Sequence, residues 1–416
     1  MLLSKETSVR VTDIQSNIVN HLGYAAYKLW NVCNFERKTY NASSGEQYPD
    51  WYYQKSAHKD DVWYKALPSQ SAQEVCKLLD KSWKSYFRLL KTGGIANPNP
   101  PRFKHEPIPV TYMQNGIKRT GDNTVQLTLT RGFKAHMAER YNIHEDYLIL
   151  ENNIFKDMGK IKQLKLYPPE NSIMRLIVVY EVPDTDLLPD NGRYLSIDLG
   201  IHNLMTCYSS EGDSFILGRK YLSVTRLYDK EIARVQSQWA SQQEKRGIKH
   251  PKPSCHVLAL YEKKRHCVRD YLHKITRYIT GYCTGHDIHT VIIGDITGIR
   301  ENRDYGDRVN QEMHALPYRK IMGMLEYKLR LAGIRVVRTS EAYSSQCSPL
   351  APEVSKKYAS PGRRVRRGLY KADGCVWNAD SVGAYNIMRL FFQKAGITKQ
   401  LSNTCLSSPR IIKVAA

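Results

Sequence analysis

The sequence predicts a mixed α/β protein, with a helical region and a small β-barrel in its first half and a larger α/β domain in its second half. Three observations support this prediction. Apolar residues recur at helical spacing in residues 1–106, short alternating strands fill residues 107–190, and strands then alternate with long helices from residue 191. A chain of 416 residues is long enough for two or three such domains.

Basic residues dominate the charge of the chain. It has 62 Lys and Arg against 40 Asp and Glu, a formal net charge of +22, which favours a polyanionic partner such as nucleic acid. The 28 tyrosines add rings suited to stacking on bases, although tyrosine is equally common in protein cores. Since no uncharged apolar run approaches the ~20 residues that a membrane span needs, we expect no membrane partner. We expect a soluble, cytoplasmic protein, associated with the nucleoid if its host is prokaryotic.

Two amphipathic helices are predicted in the first region. The first spans residues 13–37 and is capped by Thr12 or Asp13. The second has Ser71 and Glu74 as a capping box and ends at the Gly-Gly pair that follows its apolar stripe. The other face of this helix is basic. Such a face is usually a solvated surface, and the alternative is that it contacts nucleic acid.

Strand signals replace the helical ones after the proline-rich loop 97–101. Apolar and polar residues alternate in three short runs, which are typical of a small β-barrel: 125–129, 161–166 and 173–182. The segment 183–192, PDTDLLPDNG, has the composition of a linker.

The last region has an order of elements that predicts its sheet. The strand 194–198 precedes two strands in a meander, a long helical pair broken by prolines, a buried strand, a helix, a fifth strand and a final helix. These later elements are the strands 203–209, 214–217, 289–295 and 334–338 and the helix 317–333. In this order the first strand lies in the middle beside the fourth, and the fifth lies beside the fourth, as in an RNase H-like sheet.

Two carboxylates lie at the ends of elements in this region. Asp198 closes the first strand beside a glycine, which leaves space for a metal ion. Asp380 lies at the start of the final helix, where Asn378 and Asp380 are also good helix caps. Each aspartate has an ordinary structural interpretation, as a hairpin residue or a cap, but together they favour a shared metal site.

The segments that carry these acids resemble a known family. SIDLGIHNL, VIIGDITGIRE, MLEYKLRLAGI, SEAYSSQCS and NADSVGAYNI occur in this order between about residues 194 and 390. They are similar to motifs of the transposon-encoded OrfB/TnpB proteins, RNA-guided DNA nucleases related to type V CRISPR effectors and to the eukaryotic Fanzor proteins. The first and last motifs resemble the first and third blocks of a RuvC nuclease.

The resemblance implies a domain organisation. Residues 191–393 would form a RuvC nuclease domain of the RNase H-like class with a long helical insertion. Residues 107–190 would form a wedge-like β-barrel with an inserted helical recognition region, residues 1–106, and residues 394–416 would form a C-terminal tail.

The chain departs from the family at its second acidic position. Most members carry a glutamate where this sequence has Gly294, and a one-residue shift to Asp295 points the side chain to the other face of the strand. Some relatives instead resemble this chain in carrying a glutamate about 45 residues later, which corresponds to Glu341. Glu341 could reach across the empty space of the glycine, since adjacent strands lie about 4.8 Å apart. Glu326 and Asp295 are the other candidates.

A second departure concerns zinc. Family members often have a four-cysteine ribbon, whereas the interval 344–370 contains only Cys347, with Cys375 beyond it, and none of the nine cysteines forms a CxxC pair. Two thiolates are too few for a structural zinc site, so we expect no zinc and free thiols in a reducing compartment. In place of the ribbon is a basic insert that is expected to contact nucleic-acid phosphates through Lys356, Lys357, Arg363, Arg364, Arg366 and Arg367.

The resemblance further implies an Mg²⁺-dependent, RNA-guided DNA endonuclease. Asp198 would bridge two Mg²⁺ ions, with Glu341 on one and Asp380 on the other. The partners would be a guide RNA and a double-stranded DNA target with an adjacent motif. Two alternatives remain: a nuclease-dead, guide-carrying repressor, which Gly294 keeps open, and an RNA-independent transposase.

Overall fold

The computed structural model describes residues 1–93, 95–156, 158–295, 316–360 and 368–415. The chain divides into two compact units, Met1–Asp184 and Thr185–Ala416. The boundary falls inside the segment 183–192, which has the composition of a linker. None of the described helices combines the length and the apolar character that crossing a bilayer requires.

Helices form most of the first part of unit 1. Their bounds are α1 (Asp13–Thr39), α2 (Trp51–Ala57), α3 (Val62–Lys65), α4 (Ser69–Thr92) and, after three strands, α5 (Arg131–Tyr141). Thr12 caps α1, because its side chain accepts a hydrogen bond from the backbone N–H of Gln15. The capping box predicted at Ser71 is wrong. The helix begins two residues earlier, Ser71 is buried, and Glu74 forms a 2.8 Å ion pair with Lys77.

Two open antiparallel sheets complete unit 1 among the described residues. One has the strand order β1-β7-β6-β2 and the other β3-β4-β5. Their strands are β1 (Leu2–Arg10), β2 (Val110–Met113), β3 (Ile117–Arg119), β4 (Thr124–Thr128), β5 (Tyr147–Glu151), β6 (Ile161–Leu166) and β7 (Ile173–Glu181). The predicted closed barrel is therefore not confirmed.

Two elements of unit 1 differ from the prediction. The first strand, β1, lies in the region predicted to be helical, and it pairs along its whole length with β7, with Leu2 opposite Glu181. Helix α5 lies in the region 107–190, where the sequence predicts only strands. Neither element has a strong local pattern of apolar residues, because only one residue of β1 and two residues of α5 are buried.

Unit 2 contains a six-stranded mixed sheet with the order β12-β11-β8-β9-β10-β15. The strands are β8 (Tyr194–Asp198), β9 (Met205–Ser209), β10 (Ser214–Leu217), β11 (Thr290–Asp295), β12 (Arg335–Ser340) and β15 (Arg410–Ile411). Strands β8, β11 and β12 run parallel, whereas β8, β9 and β10 form an antiparallel meander. The predicted order of the first five strands is confirmed. Strand β15 lies within the predicted C-terminal tail, residues 394–416, and pairs in parallel with β10.

Helices cover both faces of this sheet: α6 (Lys220–Glu244), α7 (Cys255–Gly285), α8 (Tyr318–Leu331) and α9 (Ala379–Ala395). Residues of β8 point alternately to the two faces, as the two-residue period of a strand requires. Leu195 and Ile197 pack in one core with α7 and α8. On the opposite face the Ser196 Oγ donates a 2.7 Å hydrogen bond to the carbonyl oxygen of Ala384, so α9 covers this face. A hairpin of β13 (Leu369–Ala372) and β14 (Cys375–Asn378) leads directly into α9.

Candidate carboxylate site

At the ends of the neighbouring strands β8, β11 and β12, four residues face α9: Asp198, Gly294, Thr339 and Glu341. Ile197 lies opposite Ile293, which puts Asp198 next to Gly294 one residue further along, and Gly294 lies opposite Thr339. Because side chains alternate along a strand, Thr339 and Glu341 share a face. The sheet therefore directs Asp198, position 294 and Glu341 to the same side.

Glu341 occupies the space that a side chain at position 294 would need. A Cβ atom added to Gly294 would lie 2.0 Å from the Glu341 Oε1 and 2.7 Å from its Cδ. Contacts this short do not occur, so any larger residue at position 294 would displace the carboxylate. The Glu341 carboxyl, just after β12, thus fills the space above Gly294 on the adjacent strand β11.

Asp198 packs against the first turns of α9. A Cβ atom added to Gly383 would lie 2.3 Å from the Asp198 Oδ2, so only glycine leaves the carboxylate room beside the helix. Asp380 precedes Gly383 by three residues, and residues at this spacing lie on the same face of a helix, one turn apart. The Asp198 carboxylate is therefore next to the helical face that carries Asp380.

Asp380 is held by the residues around the start of α9. Asn378 is the N-cap, and its Oδ1 accepts hydrogen bonds of 3.1 Å from the backbone N–H groups of Asp380 and Ser381. Asn203 donates through Nδ2 to the Asp380 Oδ2 at 2.7 Å, and Arg219 donates through Nε to the Asn203 Oδ1 at 2.9 Å.

Asn203 and Arg219 are functional candidates that sequence reasoning missed. Asn203 lies within the motif SIDLGIHNL, so its position in that motif was the available signal. For Arg219 the sequence carries no such signal, since the residue lies outside the similar motifs.

The environment of Glu341 disfavours its charged form. Burial, followed by the negative charges of Asp198 and Asp295, raises the pKa of Glu341 to about 8. Its Oε1 is buried and accepts no hydrogen bond from any described residue. Buried oxygens without partners are costly, so this carboxyl is suited to receive a cation.

The donor set fits Mg²⁺ in kind, because Mg²⁺ prefers carboxylate oxygens. Within the described ranges, however, no three His, Cys, Asp or Glu side chains already stand in a metal-binding arrangement. Asp198 is close enough to Glu341 for its charge to raise the pKa of that carboxyl, and it packs against the helix that carries Asp380. The three side chains would have to converge further to hold ions.

The two competing acids are engaged elsewhere. Asp295 lies on the opposite face of β11, and its Oδ1 accepts a 3.2 Å hydrogen bond from the hydroxyl of Tyr318 on α8. Glu326 forms an ion pair with Arg338, whose Nε donates to the Glu326 Oε1 at 3.1 Å. These contacts favour Glu341 over either residue as the partner of Asp198.

Only two of the predicted phosphate-binding residues lie within the described structure. Lys356 and Lys357 belong to a short 3-10 helix, Lys356–Tyr358, and are exposed. The predicted Arg363, Arg364, Arg366 and Arg367 lie outside the described residues. Cys347 is buried, and its Sγ is 3.3 Å from the carbonyl oxygen of Ser355, whereas Cys375 is exposed.

Two family models match parts of the sequence. Residues 177–300 match OrfB_IS605, described as a probable transposase. Residues 318–387 match a TNB domain described as Cas12f1-like. Between them these ranges contain Asp198, Gly294, Glu341 and Asp380. No curated protein matches the sequence significantly.

A solved structure shares the fold. A cryo-EM structure of a Cas12f1-sgRNA-target DNA complex matches with 17% identity and a TM-score of 0.58, over 89% of this chain and 82% of that chain. Two others match with TM-scores below 0.5. They are a CRISPR-Cas12f ternary complex, with 14% identity, a TM-score of 0.37 and coverages of 94% and 82%, and CasPhi-2 (Cas12j) bound to crRNA, with 10% identity, a TM-score of 0.42 and coverages of 96% and 98%.

Proposed function

We propose that this chain, parts of which match the OrfB_IS605 and Cas12f1-like TNB family models, is an RNA-guided DNA endonuclease that requires Mg²⁺. Guide RNA would pair with one strand of a DNA target, and one carboxylate site would cleave the DNA. The proposal is supported most directly by the Glu341 carboxyl, which fills the space over Gly294 beside Asp198. The buried Glu341 Oε1 has no hydrogen-bond partner among the described residues, and a bound cation would offset that cost, which favours a nuclease over a nuclease-dead protein.

Each residue of the site would have a distinct role. Asp198 would contact both Mg²⁺ ions, with Glu341 and Asp380 each contacting one, and the bound ions would activate water and stabilise the leaving oxygen. Glu341, with a pKa of about 8, would release its proton when positive charge arrives beside it. Asn203 donates a hydrogen bond to the Asp380 Oδ2 and so holds this carboxylate in place at the start of α9. The glycines at 294 and 383 provide the space in which the carboxylates approach.

Charge and similarity support the proposed nucleic-acid partners. The net charge of +22 suits a protein that holds two polyanions at once. The Cas12f1 structure with the same fold contains an sgRNA and a target DNA. In such complexes base pairing selects the sequence, while the protein recognises backbone and shape.

The test begins with the RNA that accompanies the protein. The chain is expressed together with its own flanking DNA, the co-purifying RNA is sequenced, and a plasmid carrying its complement beside a randomised flank is incubated with the complex and Mg²⁺. We expect cleavage that RNase pretreatment abolishes. D198N should still bind the plasmid but leave it uncut, whereas D213N, an acid of the same sheet that pairs with Arg410, should cut it normally.

Each alternative has its own outcome in this experiment. Binding without cleavage by the wild-type complex would identify a guide-carrying repressor. Cleavage or strand joining that survives RNase would identify an RNA-independent transposase. Either result would overturn the proposed endonuclease.

A further inference from the structure

Unit 1 contains an aromatic cleft that the proposed nuclease chemistry does not use. The cleft has a volume of about 780 Å³ and lies between α1, α3 and α5. Its walls include the rings of His21, Tyr24, Trp63, Phe133, His136 and Tyr141. A cleft of this size is within the range of sites for small organic groups, about 300–1,000 Å³.

The rings are arranged as walls and do not fill the cleft. The His21 and Tyr141 rings lie 4.4 Å apart, and His136 lies 6.1 Å from His21. On the other side the Tyr24 and Trp63 rings meet edge to face at 5.5 Å. Tyr24 is 39% exposed and Tyr141 is 46% exposed, so flat apolar faces are open to a planar ligand.

Cationic residues lie close to the cleft, whose own lining includes Lys65 and Asp60, a 2.9 Å ion pair. Lys28 follows Tyr24 by one helical turn, and its Nζ lies 5.3 Å from the centre of that ring. Arg140 follows His136 by four residues, so it lies on the same side of α5. Arg131 and Arg140 are exposed and form no ion pair with any described residue. Because Lys65 and Asp60 offset each other in the lining, the excess of cations close to the cleft favours a planar group attached to an anionic chain.

The histidines supply polar edges as well as rings. Burial, and next the neighbouring His136, lowers the pKa of His21, so its imidazole is neutral at pH 7. A neutral imidazole offers one hydrogen-bond donor and one acceptor. Stacking faces, polar edges and cations close to the cleft together match the chemistry of a nucleotide.

We propose that this cleft takes one unpaired base of the RNA that the chain holds. RNA loops and bulges present unstacked bases, whereas the bases of duplex DNA are stacked inside the helix. The inference rests on the proposed function in one respect only, namely that RNA is a partner of this chain.

Photocrosslinking tests the location. The full-length chain with its co-purifying RNA is irradiated with ultraviolet light and digested, and the crosslinked peptides are identified by mass spectrometry. We expect ribonucleotides on peptides that contain Tyr24, Trp63 or Tyr141. RNA crosslinked only elsewhere would overturn the cleft assignment and leave the proposed function standing. Deoxyribonucleotides in the cleft would assign it to DNA instead, and a preparation free of RNA would overturn both proposals.

Substitutions test the stacking. The identified RNA is transcribed, and its affinity is measured by filter binding. Y141A should weaken binding about tenfold, because one stacked base is worth about 1–3 kcal/mol, whereas Y141F keeps the ring and should bind as wild type. The control is Y52A, since Tyr52 is 59% exposed on α2 of the same unit and does not line the cleft. Equal affinities for Y141A and wild type would overturn the proposal.

Discussion

At the scale of single residues, the main feature is a glutamate, just after β12, that fills the space above a glycine of the neighbouring strand. Gly294 has no side chain, and the carboxyl of Glu341 lies where that side chain would begin. Although β11 has no acid at position 294, the carboxyl of Glu341 therefore lies in the space of that side chain. Two residues, 47 positions apart in the sequence, must therefore be considered as one unit.

The first prediction concerns this unit. G294A adds a methyl group 2.0 Å from the Glu341 Oε1. The colliding atom is the end of a flexible side chain, so we expect the fold to survive and the carboxyl to move. DNA cleavage should fall more than about tenfold, since misplaced catalytic groups lose about 100-fold per ångström, with little change in thermal midpoint.

The matched control for that prediction is another glycine. Gly323 on α8 has open space where a Cβ would be, so G323A should leave cleavage unchanged and slightly stabilise the helix. Full activity in G294A would show that the position of Glu341 does not matter.

The second prediction is a pH dependence of stability. The pKa of Glu341 is about 8 in the folded protein and 4.5 ordinarily, so between these values the folded state holds a proton that the unfolded state has released. Stability is therefore lost as pH rises, by up to about 1.4 kcal/mol per pH unit. Urea unfolding without Mg²⁺ from about pH 5 to about pH 8 measures this slope.

Glutamine at position 341 provides the control for the slope. E341Q cannot titrate, so its stability should fall less steeply over the same interval. Adding Mg²⁺ near pH 8 should stabilise the wild type more than the variant, because a ligand stabilises the state that binds it. Identical pH profiles for the two proteins would contradict the buried-acid assignment.

At the scale of elements, the register of three parallel strands does most of the positioning. The sequence predicts that the first strand lies beside the fourth and that Asp295 points to the opposite face from position 294, because side chains alternate along a strand. The order of β8, β11 and β12 follows from alternation of strands and helices, and it is the order observed. This part of the site could therefore be predicted from the sequence.

Other elements could not be predicted because their partners are distant. Strand β1 contains mostly polar residues and is specified by its pairing with β7, not by its own pattern. Similarly, α5 has little amphipathic character, and β15 is two residues long and depends on β10. The Asn203–Asp380 hydrogen bond also joins residues that only the folded sheet brings together.

The third prediction concerns the start of α9. Asn378 accepts two backbone hydrogen bonds there, so N378A should cost about 1 kcal/mol of stability. Because Asp380 lies in the same turn, cleavage should fall as well. N378S keeps a capping oxygen and should restore both properties, as measured by urea unfolding and plasmid cleavage. A stable, fully active N378A would exclude this role for the cap.

At the scale of the whole molecule, the excess of positive charge is the dominant property. Net charge gives long-range attraction to polyanions, and its contribution depends on salt. Lys356 and Lys357 are the two predicted phosphate-binding residues that the structure describes. Both are exposed, and neither forms an ion pair with a described acid.

The fourth prediction concerns these two lysines. K356A/K357A should weaken DNA binding by the guided complex and reduce the slope of log affinity against log salt by about 1 to 2. The control K162A/K274A removes two lysines that are already paired with Glu181 and Asp270, so its slope should stay near that of the wild type. Equal slopes for both double variants would place the phosphate contacts elsewhere.

The central claim is that Glu341 supplies the acid that Gly294 lacks. The most direct measurement is the initial rate of guided plasmid cleavage by E341Q with Mg²⁺, compared with E326Q, which changes a nearby glutamate that pairs with Arg338. We predict that E341Q binds the target as wild type and loses cleavage by more than about 100-fold, while E326Q cuts normally. An E341Q complex that cuts at the wild-type rate would contradict the claim.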